Sequence, residues 1–185
     1  KFMQKLINLI LQNHLDFAAE IEGVTDDEIQ ELQRYAPNPI PKDYQLFLHY
    51  MGKKLGRVKG LRKLIASHGL DHPTTIETSD IQLEFIPLLQ AYKKSQECFK
   101  TGLKDMLRDS DTPDEDPKNY FLFGLDARGN DNGDFYLDLQ TQDLRVVEIT
   151  PTFGVIERSP SLREFLFKDS FKRDLSYYEH NKKWL

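Results

Sequence analysis

At Tyr120 the hydrophobic period of the chain changes, and that change limits the fold more than any single motif does. Before it, apolar residues recur at helical spacing. After it, "YFLFGL", "DFYLDL", "LRVVEI" and "FGVIER" are short runs rich in β-branched and aromatic residues, separated by turn chemistry. A pattern of period two cannot bury one face of a helix, so the second half is expected to form an antiparallel meander. The run "SPSLREFLF" then returns to helical spacing, with Ser161 and Glu164 placed as a capping box before Leu162, Phe165 and Leu166. Helices, then strands, then a helix is the order of an α+β domain, with helices packed against an antiparallel sheet.

The helical half carries its own punctuation. In "VTDDEI", Thr25 is a natural N-cap and Glu28 stands three residues on, while Val24 and Ile29 occupy the positions of a hydrophobic staple. That helix must stop before "APNPIP", whose prolines cannot continue it. Pro41 suits the first turn of the next helix. There Tyr44, Phe47, Leu48 and Met51 form one i, i+3, i+4, i+7 stripe, and Gly52 suits its C-cap. The basic, glycine-rich "GKKLGRVKGLRK" is expected as a loop with a short strand. A further helix is expected from Pro87, with Leu88, Tyr92, Ser95, Phe99, Gly102, Leu103 and Met106 in register, before "RDSDTPDEDPKN" breaks it as a solvated acidic loop. Upstream, Phe2, Leu6, Leu9, Ile10 and Phe17 predict a helix over residues 2–20. Its "LINLILQNHL" is broken by polar residues and reads as an amphipathic helix rather than a signal peptide.

Length and charge bound the function. The 185 residues suffice for a single domain with a stable core. A net charge of -5 argues against a direct nucleic-acid binder, which needs a basic footprint, and suits a basic partner. The single cysteine, Cys98, excludes an internal disulfide framework, so a reducing, cytoplasmic compartment is expected. No run reaches the roughly 20 apolar residues of a membrane span, so no membrane partner is expected.

The stretch from Phe121 to Gln140, "FLFGLDARGNDNGDFYLDLQ", most invites a chemical reading. As a calcium loop it fails on ligand positions. With Gly133 at the glycine position, Arg128 and Leu139 fall where oxygen ligands belong; with Gly129 there, Gly124 falls on a ligand position without a side-chain oxygen. Asn132-Gly133 between apolar runs instead signals a type I′ hairpin turn, with positive φ at both central residues. Asp126 and Asp134 would serve as a general acid–base pair only with perturbed pKa values in a shared cleft. Flanking a turn, water is expected to keep them ordinary. His68 and His72 have i, i+4 spacing with no third metal ligand nearby, and Cys98 is placed on an apolar helix side, where a thiol is inert. Lys53, Lys54, Arg57, Lys59, Arg62 and Lys63 could hold a phosphate or an acidic partner, though such runs more often form a solvated face. No G-x-S-x-G elbow, Walker A loop or G-x-G-x-x-G fingerprint occurs. No catalytic residue, metal or cofactor is therefore expected.

Two separated stretches carry a resemblance. "VTDDEIQELQRYAPNPIPKDYQLFLHYMG" is similar to the opening signature of the SUKH superfamily, through Thr25 and Glu28, Ile40-Pro41, Tyr44, Phe47-Leu48 and Gly52. "YFLFGLDARGNDNGDFYLDL" resembles that family's strand–turn–strand, "LRVVEI" its following strand, and "SPSLREFL" its closing serine–helix element, in the same order and over residues 24–168. The link "APNPIP" departs from the pattern by an extra proline, and the helix after Pro87 with its acidic loop is enlarged. The resemblance implies one α+β domain over 1–185, with the helix of 1–20 and the tail of 170–185 as additions. It implies a protein that binds proteins rather than an enzyme. Bacterial members are immunity proteins that neutralise polymorphic toxins, often nucleases, and fungal relatives regulate cell-wall synthesis through protein contacts. A basic toxin domain is thus the first expected partner, and a client of a regulatory or scaffold protein the alternative. Charge and expected exposure, not any family motif, select the candidate contacts: Asp126, Asn130, Asp131 and Asp134 at the turn, and Asp111, Asp114, Glu115 and Asp116 in the acidic loop.

Overall fold

The computed structural model describes residues 3–5, 7–8, 18–56, 63–66, 74–77, 81–94, 98–127 and 133–167. Residues 3–5 and 7–8 are helical and bury Met3 and Ile7 in the core; the expected stripe of Phe2, Leu6, Leu9, Ile10 and Phe17 lies outside the described residues.

A short strand β1 (Ile21–Glu22) leads into α1 (Asp26–Tyr35). The expected capping box is present: Glu28 N donates to Thr25 Oγ1, and Thr25 N donates back to Glu28 Oε2 at 2.9 Å. This satisfies two of the free amides that every helix start exposes. Glu28 also has its carboxyl held below the ordinary range, first by the Thr25 backbone amide and then by Lys53. The helix ends at Ala36, ahead of the prolines. Then α2 (Lys42–Met51) buries its stripe completely, with Tyr44, Phe47, Leu48 and Met51 all at 0% exposure. Burial on that scale contributes about 1.5–3 kcal/mol per large side chain. Pro41 is the N-cap of α2 rather than its first turn. Gly52 ends it with φ -65, not in the left-handed region. A Cβ there would sit 2.7 Å from the Leu48 carbonyl oxygen.

Next come β2 (Lys54–Leu55), β3 (Lys63–Ala66), β4 (Thr74–Glu77) and β5 (Ile81–Gln82). β1 pairs with β2 and β3 with β4, both antiparallel. β2 lies in "GKKLGRVKGLRK", where a loop with a short strand was expected; β1, β4 and β5 were not, because two to four residues are too few to display a period. The helix expected from Pro87 is two elements, α3 (Phe85–Lys94) and α4 (Cys98–Arg108), and α3 starts before the proline. Gly102 is exposed, and a Cβ there would meet nothing within 4 Å, so it is not on the buried stripe; Leu103 and Leu107 are buried instead.

The meander is as expected. β6 (Tyr120–Asp126), β7 (Asp134–Asp138), β8 (Val146–Thr150) and β9 (Gly154–Ser159) follow one another antiparallel, and β5 adds the fifth strand in the order β5-β6-β7-β8-β9. The last element among the described residues is α5 (Leu162–Phe167), where Glu164 N donates to Ser161 Oγ at 3.1 Å. The fold is thus α+β.

The core lies between the helices and the sheet. Tyr44 stacks on Phe47 and meets Phe121 and Phe123 edge-on, at 5.7 and 5.9 Å between ring centroids. Phe165 of α5 meets Phe123 at 5.5 Å and Phe135 at 6.0 Å. Tyr92 of α3 donates its hydroxyl to the Leu122 carbonyl at 2.8 Å. α4 packs against β8 and β9, and its Leu103 and Leu107 join the same core. β8 is buried at every residue instead of alternating.

Candidate functional site

The connection between β6 and β7 runs over residues 127–133, so Asn132-Gly133 is not the two-residue type I′ turn that the dipeptide suggests. Asn132 lies outside the described residues. What Gly133 requires is space: a Cβ there would lie 1.8 Å from the Ile149 carbonyl oxygen. The glycine permits β8's backbone to approach.

Both ends of this connection are tied to carboxylates. Asp126 N donates to Asp134 Oδ1 at 2.9 Å, and Gly133 N donates to Glu148 Oε1 at 3.3 Å. Glu148 is buried and also accepts from Arg158, with Nε at 2.7 Å and Nη2 closer. Asp134 is half-buried, and its carboxyl is pushed up. Burial is the largest cause, the Asp126 amide opposes it, and the charges of Asp126 and Glu148 add to it. The expectation that water keeps Asp134 ordinary is corrected accordingly, because the strand register carries it against β8, opposite Ile149. Its perturbation comes with a structural hydrogen bond. No group of three metal-ligating side chains occurs among the described residues.

The acidic loop is strapped down rather than free. Asp111 N donates to the Thr152 carbonyl at 3.2 Å, and Val155 N donates to Thr112 Oγ1 at 3.0 Å. Gly154, at φ +67, turns the β8–β9 connection so closely under Ser110 and Thr112 that any Cβ would strike their hydroxyls. Further on, Tyr120 donates its hydroxyl to Glu115 Oε2 at 2.5 Å; burial, then Glu115, raises the Tyr120 hydroxyl well above the usual tyrosine range. Asp116 caps the 3-10 turn Pro117–Asn119 by accepting from Lys118 N.

The candidate contacts therefore fall into distinct settings. Asp111, Asp114 and Asp116 are exposed, while Glu115, Asp126 and Asp134 are partly buried; Asn130 and Asp131 lie outside the described residues. Asp111 is bonded to the turn that follows β8, and Asp134 lies opposite Ile149 near the same strand end. Glu115 and Asp116 adjoin Tyr120, at the other end of β6 from Asp126 and roughly 20 Å away along the strand. The loop thus lays a line of carboxylates along the sheet instead of gathering all of them at the hairpin tip.

Of the basic run, Lys53 pairs with Glu28 at 2.9 Å and Lys54 with Glu22 at 2.6 Å, so these two are engaged by the fold's own acids. Arg57, Lys59, Arg62, His68 and His72, and the side chains of Lys63 and Cys98, lie outside the described residues. No helix among the described residues is long and apolar enough to cross a membrane.

Sequence reasoning missed the buried Glu148–Arg158 pair and the Asp138–Arg145–Glu157 group, in which Arg145 Nη2 lies 2.6 Å from Asp138 Oδ2. The only signal in the sequence was a charge inside each β-rich run, where alternation assigns it to the solvent side. Comparison with protein-family models, curated proteins and solved structures produced no match.

Proposed function

We propose that this chain is a non-enzymatic protein-binding domain of the SUKH type, an immunity protein that neutralises a basic toxin domain by occluding it. The observation that supports this most is the strapped acidic loop. Asp111, Asp114 and Asp116 are exposed, and the backbone that carries them is held by hydrogen bonds to Thr152, Val155 and Tyr120's end of the sheet. A rigid segment gives up little conformational entropy when a partner docks, so its charge is available for recognition. Complementary charge of this kind chiefly speeds encounter and selects the partner. The ordered motifs around Thr25, Tyr44 and Ser161 support the same reading, since the Thr25 capping box and the Tyr44 stripe are both formed in full.

The test is co-expression with the product of the neighbouring toxin-like gene, followed by co-purification. Protection of the cells and a stable complex are expected. The double change Asp111→Lys and Asp114→Lys, at two exposed positions whose side chains make no hydrogen bond among the described residues, is expected to slow association at least tenfold at low salt, with unchanged thermal unfolding. Neither protection nor a complex would refute the toxin reading. A complex with a cell-envelope or signalling client in its place would establish the regulatory alternative.

A further inference from the structure

Two hydroxyls and a glycine, remote in sequence, converge where the chain leaving α4 meets the β8–β9 turn. Ser110 Oγ donates to the Leu107 carbonyl at 2.8 Å and accepts from Thr112 N at 3.2 Å, which sets the turn just after α4. Leu107 is buried in the core, so this turn starts from a fixed point. It presents Thr112 Oγ1 to Val155 N, which donates at 3.0 Å. Val155 lies in β9, the last strand of the five-stranded sheet, so Thr112 supplies an acceptor to an amide of an edge strand. One residue earlier, Gly154 passes beneath both hydroxyls: a Cβ there would lie 2.0 Å from Thr112 Oγ1 and 2.4 Å from Ser110 Oγ.

A second bond runs the opposite way, from Asp111 N to the Thr152 carbonyl at 3.2 Å. Residues 110–112 and 152–155 are thus joined by two bonds of opposite sense and by one contact too close for any side chain. The same Thr112 oxygen accepts from Val155 and overlies Gly154, so the loop cannot lift from the turn without parting from both. Contacts shared in this way open as a group, not singly. The other end of the loop is anchored elsewhere, through Glu115 to Tyr120 of β6. Asp111 and Asp114 on the loop are exposed, as are Pro151 and Thr152 on the turn. We infer that Thr112 is a positioning residue, a latch that joins the acidic loop to the β8–β9 turn so that the two order and open as one unit. The pair then meets a partner as one preformed surface, which spares the entropy of ordering each part separately. The inference rests on the reading of this loop as the partner-facing segment, and it adds the residue on which the order of that segment depends.

The experiment is native-state hydrogen exchange on the whole ¹⁵N-labelled protein, in wild type, Thr112→Val, Thr112→Ser and Gly154→Ala. Valine keeps the shape of threonine but removes the acceptor; serine keeps the acceptor. Thr112→Val is expected to speed exchange at Val155, and also at Asp111, whose own acceptor is unchanged, by at least about fivefold. Thr112→Ser is expected to restore both amides. Gly154→Ala, with the hydroxyl intact, is expected to reproduce the valine pattern, because its Cβ displaces Thr112. The amides of Asn119, which donates to the Asp116 carbonyl, and of Phe135 in the core are expected to keep wild-type rates, which separates positioning from a general loss of stability. Should a variant fail to fold, the wild type in low urea decides: Asp111 and Val155 should show one opening equilibrium with one urea slope. Unchanged exchange at Asp111 in Thr112→Val, a serine variant no better than valine, or separate slopes in wild type would overturn the latch. Exchange is read on the free protein, so a missing toxin complex would remove the toxin reading and leave the latch; a complex with independent amides would do the reverse.

Discussion

Changing Glu148 to leucine tests the least legible part of this structure. The Glu148 and Arg158 side chains are only 2% and 3% exposed, and the guanidinium has one further buried nitrogen, Nη1, without a hydrogen-bond partner among the described residues. Removing the carboxylate leaves a buried cation uncompensated, which costs about 3–5 kcal/mol. For a chain of 185 residues, each kcal/mol moves Tm by about 2–4 °C, so the expected drop is about 6–20 °C. The partner change Arg158→Met strands Glu148 instead and is expected to cost a similar amount. The double variant removes both charges together. Among the described residues it retains the loss at Gly133 N, whose acceptor disappears in every Glu148 variant, a penalty of about 1–3 kcal/mol. The double variant should therefore be more stable than either single one, with a coupling of at least about 2 kcal/mol. Urea unfolding at constant m, checked by thermal circular dichroism, reads all three. A single variant costing under about 1 kcal/mol, or a double variant costing the sum of the singles, would refute the account of this pair.

Gly102→Ala fills an exposed helix position with nothing nearby, so it is expected to stabilise the protein by about 0.8–1 kcal/mol in urea unfolding. Asp134→Asn keeps an oxygen to accept from Asp126 N while removing the charge that faces Asp126 and Glu148. The Asp134 carboxyl is raised in the folded state above its unfolded value of about 3.9, so burying its charged form costs stability that is absent below that value. As pH rises through the folded value, wild type should lose stability relative to the variant, then hold a constant difference at neutral pH. A difference that moves the other way in stability curves measured from pH 3 to 8 would show that the hydrogen bond, not burial, governs Asp134.

Much of the fold was legible because it is written in local chemistry. The Thr25–Glu28 box, the Tyr44 stripe and the four strands after Tyr120 depend on spacings of two to seven residues, and each formed where those spacings put it. The two-residue strands β1 and β5 were not legible, since a pair of residues has no period and pairing partners are remote in sequence, whereas β2 falls within "GKKLGRVKGLRK", where a short strand was expected. The candidate site divided in the same way. That "RDSDTPDEDPKN" would expose Asp111, Asp114 and Asp116 followed from its acids and prolines. That Thr112 would hold Val155, or Tyr120 would bind Glu115, did not.

The sequence by itself determined the helices around Thr25 and Tyr44, the four strands from Tyr120 and the apolar stripe of Tyr44, because caps and periodicity act within one or two turns of chain. Only the tertiary structure decided what the polar residues inside those segments do. Glu148 and Arg158 look like solvent-side alternation until β9 is laid beside β8 with a shifted register, which shuts both into the interior and forces them to pair. Gly133 looks like a turn residue until the Ile149 carbonyl arrives within 1.8 Å of the missing Cβ. Charge and conformational freedom are properties of residues, but burial is a property of neighbours that the fold brings together.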